Sequence, residues 1–150
     1  MAIYNFGSLN IDHIYRLPHI VTPGETLAAA SLSFAAGGKG LNQSVALAQS
    51  GAEAYHAGCI GSDGSWLKEL LEEKGVRTAH VRQVDTVTGH AIIQVTDEGE
   101  NSIVIFGGAN QALTEAQADA LLARLTAIAV TRPGAAPVIP SLAEVDQFLS

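Results

Sequence analysis

Gly37-Gly38-Lys39-Gly40-Leu41-Asn42-Gln43-Ser44 is the stretch of this sequence best suited to chemistry. Glycines ahead of a helix let successive backbone N–H groups converge into an anion cradle, and the helix dipole adds positive potential there. Lys39 supplies a cation beside it, and Asn42 a carboxamide at the mouth of the same helix. Upstream, Gly7-Ser8-Leu9-Asn10-Ile11-Asp12 closes a short apolar run. Asn10 and Asp12 are spaced i, i+2, so on a strand their side chains share one face. Carboxylate plus amide at the carboxyl end of a parallel strand is where α/β sheets bind ligands. The two stretches together suit the grip of a polyhydroxylated small molecule.

Each feature also has a purely structural reading. The glycines equally suit a tight strand-to-helix turn with Lys39 solvated. Asn42 equally suits a local bond at a helix N-terminus, and Asn10–Asp12 an Asx-turn. The loop is not of the Walker A type, because Lys39 is followed by Gly40 and the upstream spacing fails. His13, His19, His56, His80 and His90 form no helical i, i+4 pair and have no cysteine companion, which argues against zinc. Glu72-Glu73 reads as a solvated helix face and Glu98/Glu100 as a hairpin tip; no serine stands in a nucleophile elbow. Cys59, the single cysteine, reads as a small buried hydrophobe.

The elements that must position these residues are predicted from apolar patterning. Ala2–Phe6 reads as a buried first strand, and Ile11–Leu17 and Leu27–Phe34 as two more around the turn at Pro23-Gly24. A helix opens at Gly40 and ends near Ser50-Gly51, followed by a strand over Ala54–Ile60. Asp63 is expected to cap a helix that places Trp66, Leu67, Leu70 and Leu71 on one face and stops at Gly75. Gly89–Thr96 and Ser102–Phe106 read as a hairpin around Asp97–Asn101. Leu113–Val130 is the longest helical pattern, with Thr114 and Gln117 as a capping box. After the turn at Thr131–Pro137, Ser141 with Glu144 opens a last helix to Leu149. The β–α–β–α order predicts an α/β fold with a parallel sheet, and the two antiparallel pairs a small sheet standing apart as a flap.

Composition narrows the partners. A length of 150 residues favours one domain, and 47% hydrophobic against 15% charged residues is apolar for a free-standing one. Surfaces built to face something else would account for that balance. A net charge of −7, with Lys and Arg scattered, argues against nucleic acid. No apolar run approaches a bilayer span of about 20 residues, and the N-terminus lacks the basic and apolar regions of a secretory signal. No membrane partner and a cytoplasmic location are expected.

Gly37–Ser44, followed by Gly51 and Gly61, resembles the first signature of the ribokinase/PfkB carbohydrate kinases without a gap. Gly7–Asp12, Pro23-Gly24-Glu25-Thr26 and Gly107-Gly108-Ala109-Asn110 are similar to the ribokinase branch, and the match runs in register over about residues 1–126. The resemblance implies transfer of the ATP γ-phosphoryl to a sugar hydroxyl, with Mg2+ and a monovalent cation. It implies a ribokinase-like parallel sheet with helices plus a small antiparallel lid, built here from about residues 11–17, 27–36, 89–96 and 102–106. Asn10, Asp12, Gly38, Lys39 and Asn42 would hold the hydroxyls of a ribose-type sugar, Asp12 most firmly.

The resemblance also implies a loss. Residues from about Thr126 to Leu149 are similar to the extreme C-terminus of ribokinases, so the segment expected between Leu125 and this 127–150 tail is missing. In the family that segment carries a Gly-Ala-Gly-Asp-like turn with the catalytic base and anion hole, most of the adenine site and a further sugar carboxylate. The chain is then expected as one shortened domain over 1–150, catalytically incomplete alone, with the nucleotide and cation sites largely absent. The alternative is a non-catalytic module that binds sugar weakly, or that forms a homodimer or pairs with a full-length subunit through the lid.

Overall fold

The computed structural model describes residues 2–130, with side chains to residue 122. The expected capping box at Ser141 and Glu144, the helix to Leu149 and nearly all of the 127–150 tail lie outside the described residues.

A parallel sheet of order β1-β4-β5 forms the body. It comprises β1 (Ala2–Phe6), β4 (Glu53–Ile60) and β5 (Arg77–Gln83). Every residue of β4 after Glu53 is buried, as a central strand covered on both faces must be. Helix α1 (Lys39–Gln49) precedes β4, and α2 (Ser65–Glu73) follows it. Gly51 and Gly75 stop these helices with φ of 87° and 81°, the left-handed conformation that glycine adopts without strain. Leu9, Leu41, Ile60, Leu67, Leu71 and Val76 make the core between helices and sheet. Each such burial contributes roughly 1.5–3 kcal/mol.

The second sheet has the order β3-β2-β6-β7. Strands β2 (Asn10–Arg16) and β3 (Ser31–Gly37) are antiparallel, as are β6 (Gly89–Val95) and β7 (Asn101–Phe106). Parallel pairing of β2 with β6 merges the two predicted hairpins into one sheet. Helix α3 (Glu115–Val130) then begins with the expected box. The Thr114 N–H donates to Gln117 Oε1 at 3.1 Å, and the Gln117 N–H donates to Thr114 Oγ1 at 3.4 Å.

Four expectations need correction. The strand predicted from Leu27 begins at Ser31, because Ser31 pairs with Arg16, the last residue of β2, and residues 27–30 have no partner strand to extend against. Strand β5 was not predicted: Arg-Thr-Ala-His-Val-Arg-Gln is polar because it lies on the sheet edge, with Thr78 and Val81 buried. Trp66 does not share the buried face of α2; Leu67 and Leu71 form it, and Trp66 is 37% exposed. Asp63 does not cap α2. Gly64 occupies the cap without a side-chain bond, and Asp63 reaches elsewhere.

Candidate functional site

Strand β2 carries Asn10 and Asp12 on one face. Asn10 lies opposite Gly37 on β3 and Gly89 on β6, and Asp12 opposite Ala35 and Ala91. The two polar side chains therefore stand on a floor of residues with no side chain beyond Cβ. That floor is required rather than incidental: a Cβ on Gly37 would collide with the Asp12 carboxylate, and one on Gly89 with the amide of Asn110. Partial burial raises the Asp12 pKa above 3.8, with the neighbouring His13 pulling it back in part. A carboxylate already short of solvent gains more from a hydroxyl donor than an exposed one does.

The first turn of α1 is locked against the β1–β2 turn. Gly38 has a φ of 100°, and a Cβ there would lie 2.5 Å from Ser8 O and 3.2 Å from Asn10 N. The Leu41 N–H donates to Ser8 O at 3.1 Å. Gly40 packs backbone to backbone on Gly7, where a Cβ would come 2.5 Å from the Gly7 carbonyl carbon. The amide of Leu41 thus grips the β1–β2 turn instead of helping to frame an anion cradle. Gly37, Gly38, Asn10 and Asp12 are brought together. Lys39 and Asn42 lie exposed on the same helical turn, and their side chains make no hydrogen bond or ion pair among the described residues.

Beneath this junction runs a polar network that the sequence did not announce. Asn5 Nδ2 donates to Gly40 O at 2.8 Å and to Ser44 Oγ at 2.9 Å. Ser44 Oγ lies 2.7 Å from His56 Nδ1, and His56 Nε2 lies 3.2 Å from Gly7 O. A carbonyl can only accept, so Nε2 carries the proton and Nδ1 accepts from the Ser44 hydroxyl. His56 is neutral: burial drives its pKa down to about 4, against a smaller opposite pull from Gly7 O.

A pH dependence follows. A histidine with a depressed folded pKa contributes stability that is complete above the unfolded value of about 6.5 and is lost as pH falls toward 4. At 1.36 kcal/mol per unit the loss approaches about 3 kcal/mol. Urea midpoints measured from pH 7.5 to 4 should fall steeply in the parent and less in His56→Gln; parallel curves would refute the assignment.

Asp63 binds the base of the second sheet. Its Oδ1 accepts from Thr88 N at 2.9 Å and Thr88 Oγ1 at 2.7 Å. Burial alone would raise its pKa, but the Thr88 bonds and its own backbone hold it below 3.8 overall. Its carboxylate is thus committed to structure. Among the described residues no group of three or more His, Cys, Asp or Glu side chains is placed to hold a metal ion. Nor is any described helix long and apolar enough to cross a membrane.

A model of the pfkB family of carbohydrate kinases matches residues 3–141. The chain belongs to that family. This pfkB-family chain is 42% identical to the ribokinase of Haemophilus influenzae over an alignment of 132 residues that covers 79% of the chain and 43% of that enzyme. A ribokinase structure from Cryptococcus neoformans in complex with ADP superposes with a TM-score of 0.71 at 41% identity, covering 92% of this chain and 49% of that one. Arabidopsis thaliana ribokinase complexed with ribose and ATP gives 0.70 at 35%, covering 81% and 41%. The fold is ribokinase-like, and the chain spans under half the length of these relatives.

Proposed function

We propose that this pfkB-family chain is the sugar-binding half of a ribose-type carbohydrate kinase, and that alone it does not complete phosphoryl transfer. Asn10 and Asp12 hold sugar hydroxyls from β2; Gly38, Lys39 and Asn42 close the site from α1. The observation that carries the reading is the pairing of Asn10 and Asp12 on one face, above the Gly37, Gly89, Ala35 and Ala91 floor. On that floor of small residues the Asp12 carboxylate can accept the O–H groups of a sugar. The match to a ribokinase complexed with ribose and ATP supports the substrate class.

In the family ATP and Mg2+ supply the phosphoryl group and its charge neutralisation, and a general base takes the hydroxyl proton. Two of the described groups that could serve are committed to structure. Asp63 is held by Thr88, and the Leu41 amide at the α1 terminus is held by Ser8. The experiment is ADP release from ATP and Mg2+ with and without ribose. No ribose-dependent release is expected; turnover above the sugar-free control would overturn the incompleteness.

A second reading, pairing of two copies through the lid, is favoured by one observation. Opposite the Asp12 face, Phe34, Val104 and Phe106 are each at least half exposed, at 61%, 64% and 50%. Such a patch suits burial against a partner. Sedimentation velocity should give a dimer in the parent and a monomer in Val104→Lys; a monomeric parent would remove this reading.

A further inference from the structure

The turn after β7 carries Asn110, a residue with no assigned role, and its carboxamide is wired to the β1–β2 junction by three bonds. Leu9 N–H donates to Asn110 Oδ1 at 2.9 Å. Asn110 Nδ2 donates to Leu9 O at 3.2 Å and to Asn10 Oδ1 at 2.7 Å. The polarity of this contact is fixed by chemistry. A backbone N–H can only donate and a backbone C=O only accept, so Leu9 sets which end of the Asn110 amide is oxygen. The Nδ2 group must then face Asn10, and the Asn10 atom that meets it must be the acceptor, Oδ1.

The consequence falls on Asn10. Its oxygen is occupied, and its Nδ2 group makes no hydrogen bond to another described residue and is not among their buried unpartnered atoms. Asn10 therefore keeps both N–H donors uncommitted while one lone pair of its oxygen is already engaged, and Asp12, two residues along the same face, offers acceptors. A hydroxyl set between them accepts from Asn10 Nδ2 and donates to the Asp12 carboxylate. One hydroxyl, or two vicinal ones, satisfies both groups, which neither a carbonyl nor an ammonium does.

The anchorage of Asn110 is itself built. The Ala109 N–H donates to Val87 O at 2.8 Å, Ala109 is fully buried, and Gly108 packs on the Val87–Gly89 backbone with a φ of 48°. Asn110 thus joins the exit of β7 and the entry of β6 to the strand that carries the proposed sugar ligands.

We infer that Asn110 is a positioning residue that fixes the Asn10 carboxamide as a hydrogen-bond donor toward the sugar. The inference rests on the sugar-binding reading for its consequence, but not for its geometry. Two measurements keep them apart. In the full chain, Asn110→Ala should move the Asn10 13Cγ resonance and remove the exchange protection of the Leu9 amide. If both stay as in the parent, the clamp does not exist, whether or not ribose binds.

Calorimetric titration with ribose reads the consequence. Asn110→Ala should weaken binding by about fivefold to tenfold, the worth of one well-placed hydrogen bond. In an Asn10→Ala background the same change should have almost no further effect on affinity, while its cost in unfolding temperature persists. A merely structural Asn110 would weaken ribose equally in both backgrounds, and that result would overturn the inference. Asn110→Asp keeps the acceptor for Leu9 N–H and loses the donor to Asn10, so it serves if the alanine variant does not fold. An Asn10 resonance that shifts in Asn110→Ala, beside a parent that binds no ribose, would refute the sugar reading and leave the clamp standing.

Discussion

Asp12→Asn should remove most of the rise in unfolding temperature that ribose gives the parent, while making the sugar-free protein more stable at neutral pH. The two effects have one origin. Burial raises the Asp12 pKa, so the group contributes stability that is complete below the ordinary carboxylate value of 3.8 and is lost as pH rises through its raised value. At pH 7 the ionised carboxylate therefore works against the sugar-free fold, and asparagine relieves it. A residue that costs the empty protein stability is one whose value lies in what it binds. Replacing a charged acceptor of two hydroxyls removes about 3 kcal/mol, or roughly 100-fold in affinity. At ribose concentrations near 100 times the parent Kd, the parent gains about 2.7 kcal/mol and the half-saturated variant only about 0.4 kcal/mol. Thermal unfolding at pH 7 and pH 4 checks both parts. The sugar-free gain should shrink at pH 4, where the parent carboxyl takes up its proton. A variant that keeps the ribose shift would contradict the assignment of Asp12.

Gly40→Ala should destabilise the chain by about 4 kcal/mol, at the severe end for one methyl group. The reason is the identity of the atoms it meets. A Cβ at Gly40 would lie 2.5 Å from the Gly7 carbonyl carbon and 2.6 Å from Gly7 Cα and Ser8 N. Backbone atoms cannot rotate away as a side chain can, so α1 would have to lift from the β1–β2 turn. The Leu41–Ser8 bond and the Asn5–Gly40 bond would go with it. Gly51 provides the contrast. Its φ of 87° strains an alanine there, but no atom lies within 4 Å of the new methyl, and the cost is about 1 kcal/mol. Urea unfolding of the two variants should rank Gly40→Ala far below Gly51→Ala. Equal effects would mean that Gly40 serves the backbone conformation and not the close contact.

Much of this arrangement was legible because it is local. The strand at Ala2–Phe6 has the predicted limits, and Gly51 and Gly75 end their helices as expected, since each signal lies within a few residues of its effect. The i, i+2 spacing of Asn10 and Asp12 placed both on one face, and the Gly37–Gly40 cluster put a helix beside them. What stayed hidden depends on partners distant in sequence. Strand β5 looks polar because only its edge position explains Arg77 and Arg82. The role of Asp63 could not be read because its partner, Thr88, is 25 residues away. The same is true of His56, which looks like a stray imidazole in an apolar strand until Ser44 and Gly7 are seen on either side. The glycine cluster by itself predicts a cradle for an anion, whereas much of its demand for glycine comes from the turn it packs against.

Isothermal calorimetry of the purified chain with ribose reads the sugar site itself. Saturable binding at one site per chain is expected, lost in Asp12→Ala while that variant stays cooperatively folded. No binding heat from a cooperatively folded parent, or equal heat in parent and variant, would contradict it.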